Sequence, residues 1–167
     1  MAARDLRLLG ISALVVLADQ VTKAAARAFL QGQNSIAVLG QYVRLTYLEN
    51  PGMAFGIRVG GPAFFSVFAS LASLVVLVYL LRLRGERMGV RLALALVFGG
   101  AIGNLIDRLL YGQVVDFIDV GVGDLRWPVF NVADSAVTVG MVLLMILMLF
   151  ERPAEPSAAG DPPSRVD

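Results

Sequence analysis

The sequence contains no cysteine and no histidine among its 167 residues, and each absence excludes a class of site. Without cysteine the chain has no disulfide, no thiol nucleophile and no thiolate metal site. Without histidine it has neither a Ser-His-Asp triad nor the HExxH motif of zinc peptidases. No spacing of its carboxylates predicts a metal site, and we expect no cofactor. Carboxylates remain the candidates for proton-transfer chemistry.

Charged residues are also few, at 16% of the chain, whereas 57% of the residues are hydrophobic. That composition is too apolar for a soluble domain of this length. Since a membrane-spanning helix needs about 20 predominantly apolar residues, four apolar runs predict four spans. These runs cover residues 6–29, 62–81, 90–110 and 132–150. The sequence therefore predicts a mainly α-helical membrane protein with a single domain over residues 1–150.

Basic residues beside the predicted spans indicate their orientation, because short cytoplasmic loops are enriched in lysine and arginine. Arg4 and Arg7 precede the first span, and four further arginines lie at the turn between the second and third. Both termini are therefore predicted to be cytoplasmic, and segments 29–62 and 111–131 to lie outside. Residues 151–167, rich in proline, alanine and aspartate, are predicted to form a disordered cytoplasmic tail. No basic patch suggests a nucleic-acid partner.

The two outer segments contain β-strand patterns. In the first, side chains alternate over Gln41–Leu48, and Asn50–Gly52 then forms a turn. A second strand is predicted over Met53–Val59. In the other segment, Gln113–Val120 and, more weakly, Leu125–Phe130 have the composition of strands. We expect a small β-sheet on the outer membrane surface, built from both segments.

Asp116 and Asp134 are the leading candidates for chemistry. Asp116 lies a few residues beyond the third predicted span and Asp134 in the first turn of the fourth, so both belong to the outer face. Two carboxylates held close together do not both ionise readily, so one keeps a proton near neutral pH. The ionised one can activate a water while the protonated one polarises a scissile carbonyl, as in an aspartyl protease. The alternative is that Asp134 only caps a helix and Asp116 is a solvated loop residue.

Two other aspartates lie in the same outer segment. Residues 121–124 spell the GxGD motif of presenilin-type intramembrane proteases, but here the motif occupies a polar turn and not a span. We interpret the match as a coincidence, and we predict that Asp119 and Asp124 are surface residues.

Ionisable residues also occur inside the predicted spans, where they are costly and normally face the protein interior. Asp19 and Lys23 are four positions apart and share one helix face. They either neutralise each other, with Lys23 extending outward, or brace the aspartate pair.

The third span carries a polar stripe of Asn104, Asp107 and Arg108 on one helix face. The stripe either holds substrate backbone or joins helices, and spacing does not decide between these roles. Gly99 and Gly103 on the same helix permit close helix packing.

Five motifs occur together along the chain. In order they are D-Q-x-x-K at Asp19–Lys23, N-x-G-x-A-F at Asn50–Phe55, G-G-A-x-G-N-x-x-D-R at Gly99–Arg108, V-V-D-F at Val114–Phe117 and F-N-x-A-D-S at Phe130–Ser135. With the four predicted spans, they resemble the lipoprotein signal peptidase family, also called signal peptidase II, over the whole chain except its C-terminal tail. Met53 is the one departure, since a small residue is commoner there.

The resemblance implies an aspartic endopeptidase of the bacterial cytoplasmic (inner) membrane that removes signal peptides from diacylglyceryl-modified prolipoproteins, cleaving just before the lipidated cysteine. It implies that Asp116 and Asp134 are the catalytic pair and that an outer sheet cradles the substrate. It also implies contact with membrane lipid and binding of globomycin-type inhibitors, and we expect a monomer. The positions matching substrate-binding or supporting residues are Asp19, Lys23, Asn50, Gly52, Gly103, Asn104, Asp107, Arg108, Asn131 and Ala133.

Other hypotheses remain open at this point. The carboxylates suit a small proton-coupled transporter, although the pair is interfacial and not at the bilayer midplane. A Ser-Lys peptidase would use Lys23 as base and Ser12 or Ser135 as nucleophile. A structural adaptor would leave the acid pair without a role. Within the peptidase hypothesis, the outer loop around Gly52 is predicted to close as a lid over bound peptide.

Overall fold

The computed structural model describes residues 3–54, 57–58, 62–82 and 86–150. Within these residues the chain forms four helices and a small amount of sheet, which confirms the predicted fold class. The helices are α1 (Ala3–Leu30), α2 (Pro62–Arg82), α3 (Met88–Tyr111) and α4 (Val132–Leu149), and they cover the four apolar runs of the sequence. The tail predicted over residues 151–167 lies outside the described residues.

Three of the helices in the described part of the chain are long and apolar enough to cross a membrane. They are Leu6–Leu30 within α1, Met88–Tyr111 and Val132–Leu149. In α2 the apolar stretch is shorter, Ser66–Arg82. At 1.5 Å per residue, the 21 residues of α2 extend roughly 31 Å, close to the ~30 Å hydrocarbon core of a bilayer. That α2 is the fourth span therefore stays a prediction with adequate length.

Helix α3 lies at the centre of the bundle and packs against α1, α2 and α4. Its glycines allow two of these approaches. A Cβ added at Gly99 would lie 2.8 Å from the carbonyl oxygen of Ser12 on α1, and one added at Gly100 would collide with the carbonyl oxygen of Ala133 on α4. Because only a residue without a side chain fits there, the glycines set how closely the polar stripe of α3 approaches its neighbours.

The sheet lies where α3 ends and α4 begins. The strands in chain order are β1 (Ile36–Leu39), β2 (Val43–Asn50), β3 (Met53–Ala54), β4 (Ile57–Arg58), β5 (Val114–Val122) and β6 (Leu125–Arg126). Four of them form an antiparallel sheet in the order β1-β2-β5-β6. β2 comes from the first outer segment and β5 from the second, as predicted. Their register pairs Leu48 with Asp116 and Asn50 with Val114, so the end of β2 lies beside the candidate aspartate.

Three details of the sheet differ from the prediction. The strand expected over Met53–Val59 is interrupted, because β3 and β4 pair with each other in a chain reversal, and Val59 lies outside the described residues. Of Leu125–Phe130 only the first two residues form a strand, while Phe130 makes an isolated bridge to Ile118. Strand β1 was not predicted.

A small apolar cluster fixes the sheet to the first helix. Ala26 and Leu30 on α1 are buried against Val115 and Phe117 on β5. Val115 and Phe117 flank Asp116 and point to the opposite face of the strand. Burial of these neighbours therefore sets the position of β5 relative to α1.

Candidate active site

Asp116 is buried on β5, where its carboxylate accepts hydrogen bonds from two asparagines. It is 2% exposed. Asn131 Nδ2 donates to its Oδ1 at 2.7 Å, and Asn50 Nδ2 donates to its Oδ2 at 3.1 Å. Asn50 Oδ1 in turn accepts from the backbone N–H of Gly52 at 2.9 Å. Gly52 has φ of 107°, a conformation that favours glycine, so the turn that orients Asn50 depends on this residue.

Asp134 lies at the third position of α4 and takes part in the cap of that helix. The Asp134 backbone N–H donates to Asn131 Oδ1 at 2.9 Å, and the Asn131 backbone N–H donates to Asp134 Oδ2 at 3.3 Å, which together form a capping box. The other carboxylate oxygen, Oδ1, accepts from Asn104 Nδ2 at 2.7 Å. The capping role considered from the sequence is therefore real, but it occupies only part of this half-buried carboxylate.

Asn131 connects the two aspartates. It is fully buried, with its carbonyl end in the cap of α4 and its amide nitrogen on Asp116. The same amide nitrogen also reaches Asn104 Oδ1 at 3.1 Å and the carbonyl oxygen of Val115 at 3.3 Å. The structure thus brings Asp116 and Asp134, 18 residues apart in sequence, into one hydrogen-bonded group with Asn104 and Asn131.

The environment of Asp116 favours its protonated form. Burial raises the pKa of Asp116 to about 6, and the negative charge of Asp134 raises the pKa further, while the hydrogen bonds from Asn50 and Asn131 oppose the increase. A carboxyl group with a pKa near neutrality exchanges protons readily at physiological pH. This perturbed carboxyl beside a second carboxylate is the arrangement that acid–base catalysis by an aspartate pair requires.

Asp19, Lys23 and Asp107 form a fully buried ion-pair cluster beneath the aspartates. Lys23 Nζ lies 2.8 Å from Asp19 Oδ2 and 3.2 Å from Asp107 Oδ2. Arg27 also contacts Asp107, at 3.2 Å, from the edge of the cluster. Of the two alternatives for this pair, the one in which Lys23 extends outward was wrong, because Asp19 on the same helix and Asp107 on α3 hold its ammonium inside.

The same two carboxylates hold the backbone next to each candidate aspartate. Asp19 Oδ1 accepts from the N–H of Ala133, the residue before Asp134, at 2.9 Å. Asp107 Oδ2 accepts from the N–H of Val115, the residue before Asp116, at 3.2 Å. Asp19 and Asp107 therefore brace the aspartate pair through the backbone, as one of the two hypotheses for Asp19 predicted.

The remaining predicted positions surround this group. A Cβ at Gly103 would lie 2.6 Å from Asp19 Oδ2, so the glycine gives the ion-pair cluster its space. Arg108 is half-buried at the end of α3, where its Nη1 donates to the carbonyl oxygen of Asn104 at 3.3 Å and its charge interacts with Asp134 and Asp116.

Gln20, which sequence reasoning missed, donates to Asp19 Oδ2 at 3.1 Å and to Asp107 Oδ1 at 3.2 Å. Its place in the D-Q-x-x-K motif was the available signal.

The prediction for Asp119 was wrong. This residue is 8% exposed, its Oδ1 lies 2.8 Å from Arg126 Nη2, and Thr46 Oγ1 donates to its Oδ2 at 3.2 Å. It is buried because the side chains of Thr46 on β2 and Arg126 on β6 contact its carboxylate. Asp124, in contrast, is exposed in the turn between β5 and β6, as predicted.

The serines of the Ser-Lys hypothesis bond to backbone carbonyls. Ser12 Oγ donates to the Ala95 carbonyl at 2.8 Å, and Ser135 Oγ donates to the Asn131 carbonyl at 2.9 Å. In the described part of the chain no hydrogen bond joins Lys23 to either serine. The nucleophile–base contact that such a mechanism needs is therefore not formed.

A mainly apolar groove opens beside Asp134. Its volume is about 370 Å³, and it is lined by Trp127, Phe130, Asp134, Ser135, Thr138 and Val139. Ser135, Thr138 and Val139 follow Asp134 along α4, so the groove extends from the carboxylate along a membrane helix. No three acidic side chains among the described residues lie close enough together to hold a metal ion.

Comparison with known proteins gives a consistent result. Residues 11–150 match the model of the family described as signal peptidase (SPase) II. The chain is 38% identical over 141 residues to the lipoprotein signal peptidase of Syntrophus aciditrophicus, covering 81% of this chain and 88% of that protein. It is 45% identical over 141 residues to the lipoprotein signal peptidase of Burkholderia mallei, covering 82% and 84% respectively.

Two solved structures share the fold. One is a bacterial membrane enzyme determined by the in meso method at 2.3 Å resolution, with a TM-score of 0.77 and 31% identity over 93% of this chain and 94% of the other. The second, a bacterial membrane enzyme determined by the same method at 1.9 Å, also has a TM-score of 0.77, with 33% identity over 87% of this chain and 94% of the other.

Proposed function

The chain belongs to the signal peptidase II family, and on that premise we propose that it is an aspartic endopeptidase that removes signal peptides from diacylglyceryl-modified prolipoproteins. Cleavage falls just before the lipidated cysteine, and Asp116 and Asp134 are the catalytic pair. Family membership makes the chain a multi-pass membrane peptidase. The aspartic mechanism and the cleavage position are proposed in addition to this family membership.

In the proposed reaction one aspartate is ionised and the other carries a proton. The ionised carboxylate takes a proton from a water molecule, whose oxygen attacks the scissile carbonyl carbon. The protonated carboxyl gives its proton to the carbonyl oxygen, forming a neutral tetrahedral intermediate. The aspartate that took a proton from water then gives it to the nitrogen as the C–N bond breaks, while the other, now ionised, aspartate takes a proton from a hydroxyl of the intermediate. This leaves a carboxyl end on the signal peptide and a free amino group on the lipidated cysteine, and it restores the starting protonation of the pair.

The observation that carries the proposal is the shared hydrogen-bond group of the two aspartates. Asn131 contacts both residues, and the remaining oxygens accept from Asn50 and Asn104. Asp116 has a pKa raised to about 6, so this carboxyl group exchanges a proton close to physiological pH. The groove beside Asp134 supports a substrate with apolar groups, because it leads from the carboxylate along α4.

The experiment that tests this function follows cleavage of a diacylglyceryl-modified prolipoprotein by the purified protein in detergent. Asp116→Asn and Asp134→Asn are expected to lose at least about 100-fold in rate while remaining folded, because each removes an acid–base group. Asp124→Asn is the matched control, since it makes the same change at an exposed aspartate in the same segment, and it should cleave normally. Cleavage by either pair variant at the wild-type rate would refute the assignment.

The competing hypotheses make different predictions in the same assay. If Ser135 is the nucleophile, Ser135→Ala is inactive, whereas an aspartate mechanism leaves it close to full activity. If the protein is a transporter, the wild type releases no signal peptide. The family match supports a peptidase and gives the transporter no support.

Several features of the setting belong to the same proposal. Both termini are cytoplasmic and the aspartates lie near the outer face of the inner membrane. The enzyme acts as a monomer, contacts membrane lipid and binds globomycin-type inhibitors at the substrate site. The lid around Gly52 also remains a proposal, and residues 55–56 and 59–61 of that loop lie outside the described part of the chain.

A further inference from the structure

Lys23 neutralises two buried carboxylates, but it also makes a third contact, with a neutral side chain, that charge neutralisation does not explain. Besides Asp19 and Asp107, its ammonium donates to Asn104 Oδ1 at 2.9 Å. All three contacts are made by a side chain with no exposed surface. An ammonium has donors only, so it can face the carbonyl end of an amide but not the nitrogen end.

The orientation of the Asn104 amide decides whether its nitrogen or its oxygen faces the Asp134 carboxylate. With Oδ1 turned to Lys23, Nδ2 is directed to Asp134 Oδ1, and it donates there at 2.7 Å. Turned the other way, the amide would present an oxygen to the carboxylate. Asn131 Nδ2 also donates to Asn104 Oδ1, at 3.1 Å, but that nitrogen is shared with Asp116 and with the Val115 carbonyl. Lys23 is therefore the shorter and the charged donor on this oxygen.

We propose that Lys23 is a positioning residue of the active site, which fixes the Asn104 amide so that its nitrogen donates to the Asp134 carboxylate. Lys23 touches neither aspartate of the pair and acts through Asn104. The inference rests on the proposed function in treating Asp116 and Asp134 as the reacting pair. It gives the buried cluster a second role, since Asp19 and Asp107 hold the ammonium where it meets Asn104.

The consequence is a change in the pH at which the aspartate pair takes up its proton. A hydrogen bond donated to a carboxylate stabilises the ionised form of that group and lowers its pKa. Without Lys23 the oxygen of the Asn104 amide keeps only the shared donor of Asn131, so the amide turns more readily, its donation to Asp134 weakens and protonation occurs at higher pH. Among the described residues, the charged groups around the pair are Lys23 and Asp19 on α1 and Asp107 and Arg108 on α3, while β2 contributes the neutral Asn50.

The experiment must separate this indirect effect from the direct electrostatic effect of removing a positive charge. The protein is labelled with ¹³C at its aspartate carboxyl carbons and titrated by NMR in detergent micelles. Lys23→Met is measured both in the wild-type background and in an Asn104→Leu background. The lost charge of Lys23 shifts the titration upward in both backgrounds, and we expect the shift to be larger in the first by about 1 pH unit, the size of one hydrogen bond to a carboxylate. Equal shifts in both backgrounds would show that Lys23 acts by charge alone and would overturn the proposal.

Two further variants keep the test decisive. Arg27→Met removes another cation from Asp107 without touching Asn104, so it should leave the titration unchanged; a shift like that of Lys23→Met would also overturn the proposal. If Lys23→Met does not fold, the charge-balanced Lys23→Met/Asp19→Asn variant gives the same comparison, because the amide that replaces the Asp19 carboxylate keeps an oxygen for the Ala133 N–H. The titration needs no turnover, so it tests the role of Lys23 even if the proposed cleavage fails.

Discussion

A buried carboxylate costs stability when it ionises, and Asp116 shows this cost at the scale of one residue. Its pKa is raised to about 6 in the folded protein from an ordinary value of 3.8. The folded state therefore binds this proton more tightly than the unfolded chain does. The resulting contribution to stability is complete below about pH 4 and is lost as the pH rises through about 6.

The first prediction concerns Asp116→Asn, which removes this titration. At about 1.4 kcal/mol per pKa unit, ionisation of Asp116 should cost the wild type on the order of 3 kcal/mol between pH 4 and pH 8, and the variant should lack this part of the loss. We expect Asp116→Asn to unfold at a higher temperature than the wild type at pH 8, with the gap closing toward pH 4. Thermal unfolding in detergent across this range measures it. Parallel pH profiles for the two proteins would contradict the cause assigned here.

A second prediction separates the two roles of Asn131. Asn131→Ser keeps an oxygen that caps α4, whereas Asn131→Ala does not, and both variants lose the nitrogen that donates to Asp116. The serine variant should therefore be more stable than the alanine variant by about 1 kcal/mol, while both cleave poorly. Denaturation and cleavage assays on the pair check this. Normal cleavage by Asn131→Ser would mean that the donation to Asp116 is dispensable.

What the sequence reveals about single residues depends on what each property requires. Asp116 and Asp134 were predictable as neighbours because both lie near the connection from α3 to α4, which topology alone places at one end of the bundle. The burial of Asp119 was not predictable, and for Lys23 the sequence did not decide between an inward and an outward side chain. Each depends on a partner from another element, Asp107 on α3 for the lysine and Arg126 beyond β5 for the aspartate. The pattern of residues within a single helix or strand does not specify partners on other elements.

At the scale of elements, the site depends on how closely α4 approaches α3. Gly100 lies against the Ala133 carbonyl, one residue before Asp134, and Gly140 makes a similar contact with the Ala93 carbonyl further along the same two helices, where an added Cβ would be 2.7 Å away. Gly100 and Gly140 therefore both bring the two helices close at a backbone carbonyl, and of these two only Gly100 is next to a catalytic candidate.

The third prediction uses this pair of glycines. Gly100→Ala and Gly140→Ala should each destabilise the protein by about 1–3 kcal/mol, because the added methyl group forces the helices apart. Only Gly100→Ala should also reduce cleavage in the fraction that remains folded, since it displaces the first turn of α4. Gly10→Ala, on an open face of α1, is the control and should be neutral or slightly stabilising. Equal activity of the Gly100 and Gly140 variants would show that the position of this turn does not limit catalysis.

The elements themselves were predictable to different degrees. The apolar runs of the helices extend over many residues, so their pattern survives local exceptions such as Asp19. Strand β1 was missed because all four of its residues are exposed, and an exposed edge strand has no buried face to produce an alternating pattern. Its place in the sheet comes from backbone pairing with β2, and hydrogen bonds of the backbone leave little trace in side-chain sequence.

At the scale of the whole molecule, the exposed apolar surface is consistent with a bilayer. Only 11% of the apolar stretch of α4 is buried within the protein, and the exposed residues of this helix include Met141, Met145 and Met148. In water such a surface would drive aggregation, whereas in a membrane it contacts lipid. Trp127, at the end of the sheet next to α4, is 61% exposed, which suits the aromatic belt of a membrane interface.

The last prediction tests the orientation on which the whole proposal depends, and the absence of cysteine makes the test direct. A single cysteine introduced anywhere is the only thiol in the chain. Asp124 and Glu86 are both exposed acidic residues, one between β5 and β6 and the other just before α3. If the aspartate pair lies on the outer face, Asp124→Cys in intact cells should react with a membrane-impermeant maleimide, and Glu86→Cys should react only after the cells are opened. The reverse pattern would place the aspartates on the cytoplasmic side. Because a lipidated substrate cannot leave the bilayer, the aspartates could then not reach a cleavage site presented at the outer face, and the proposal would fail.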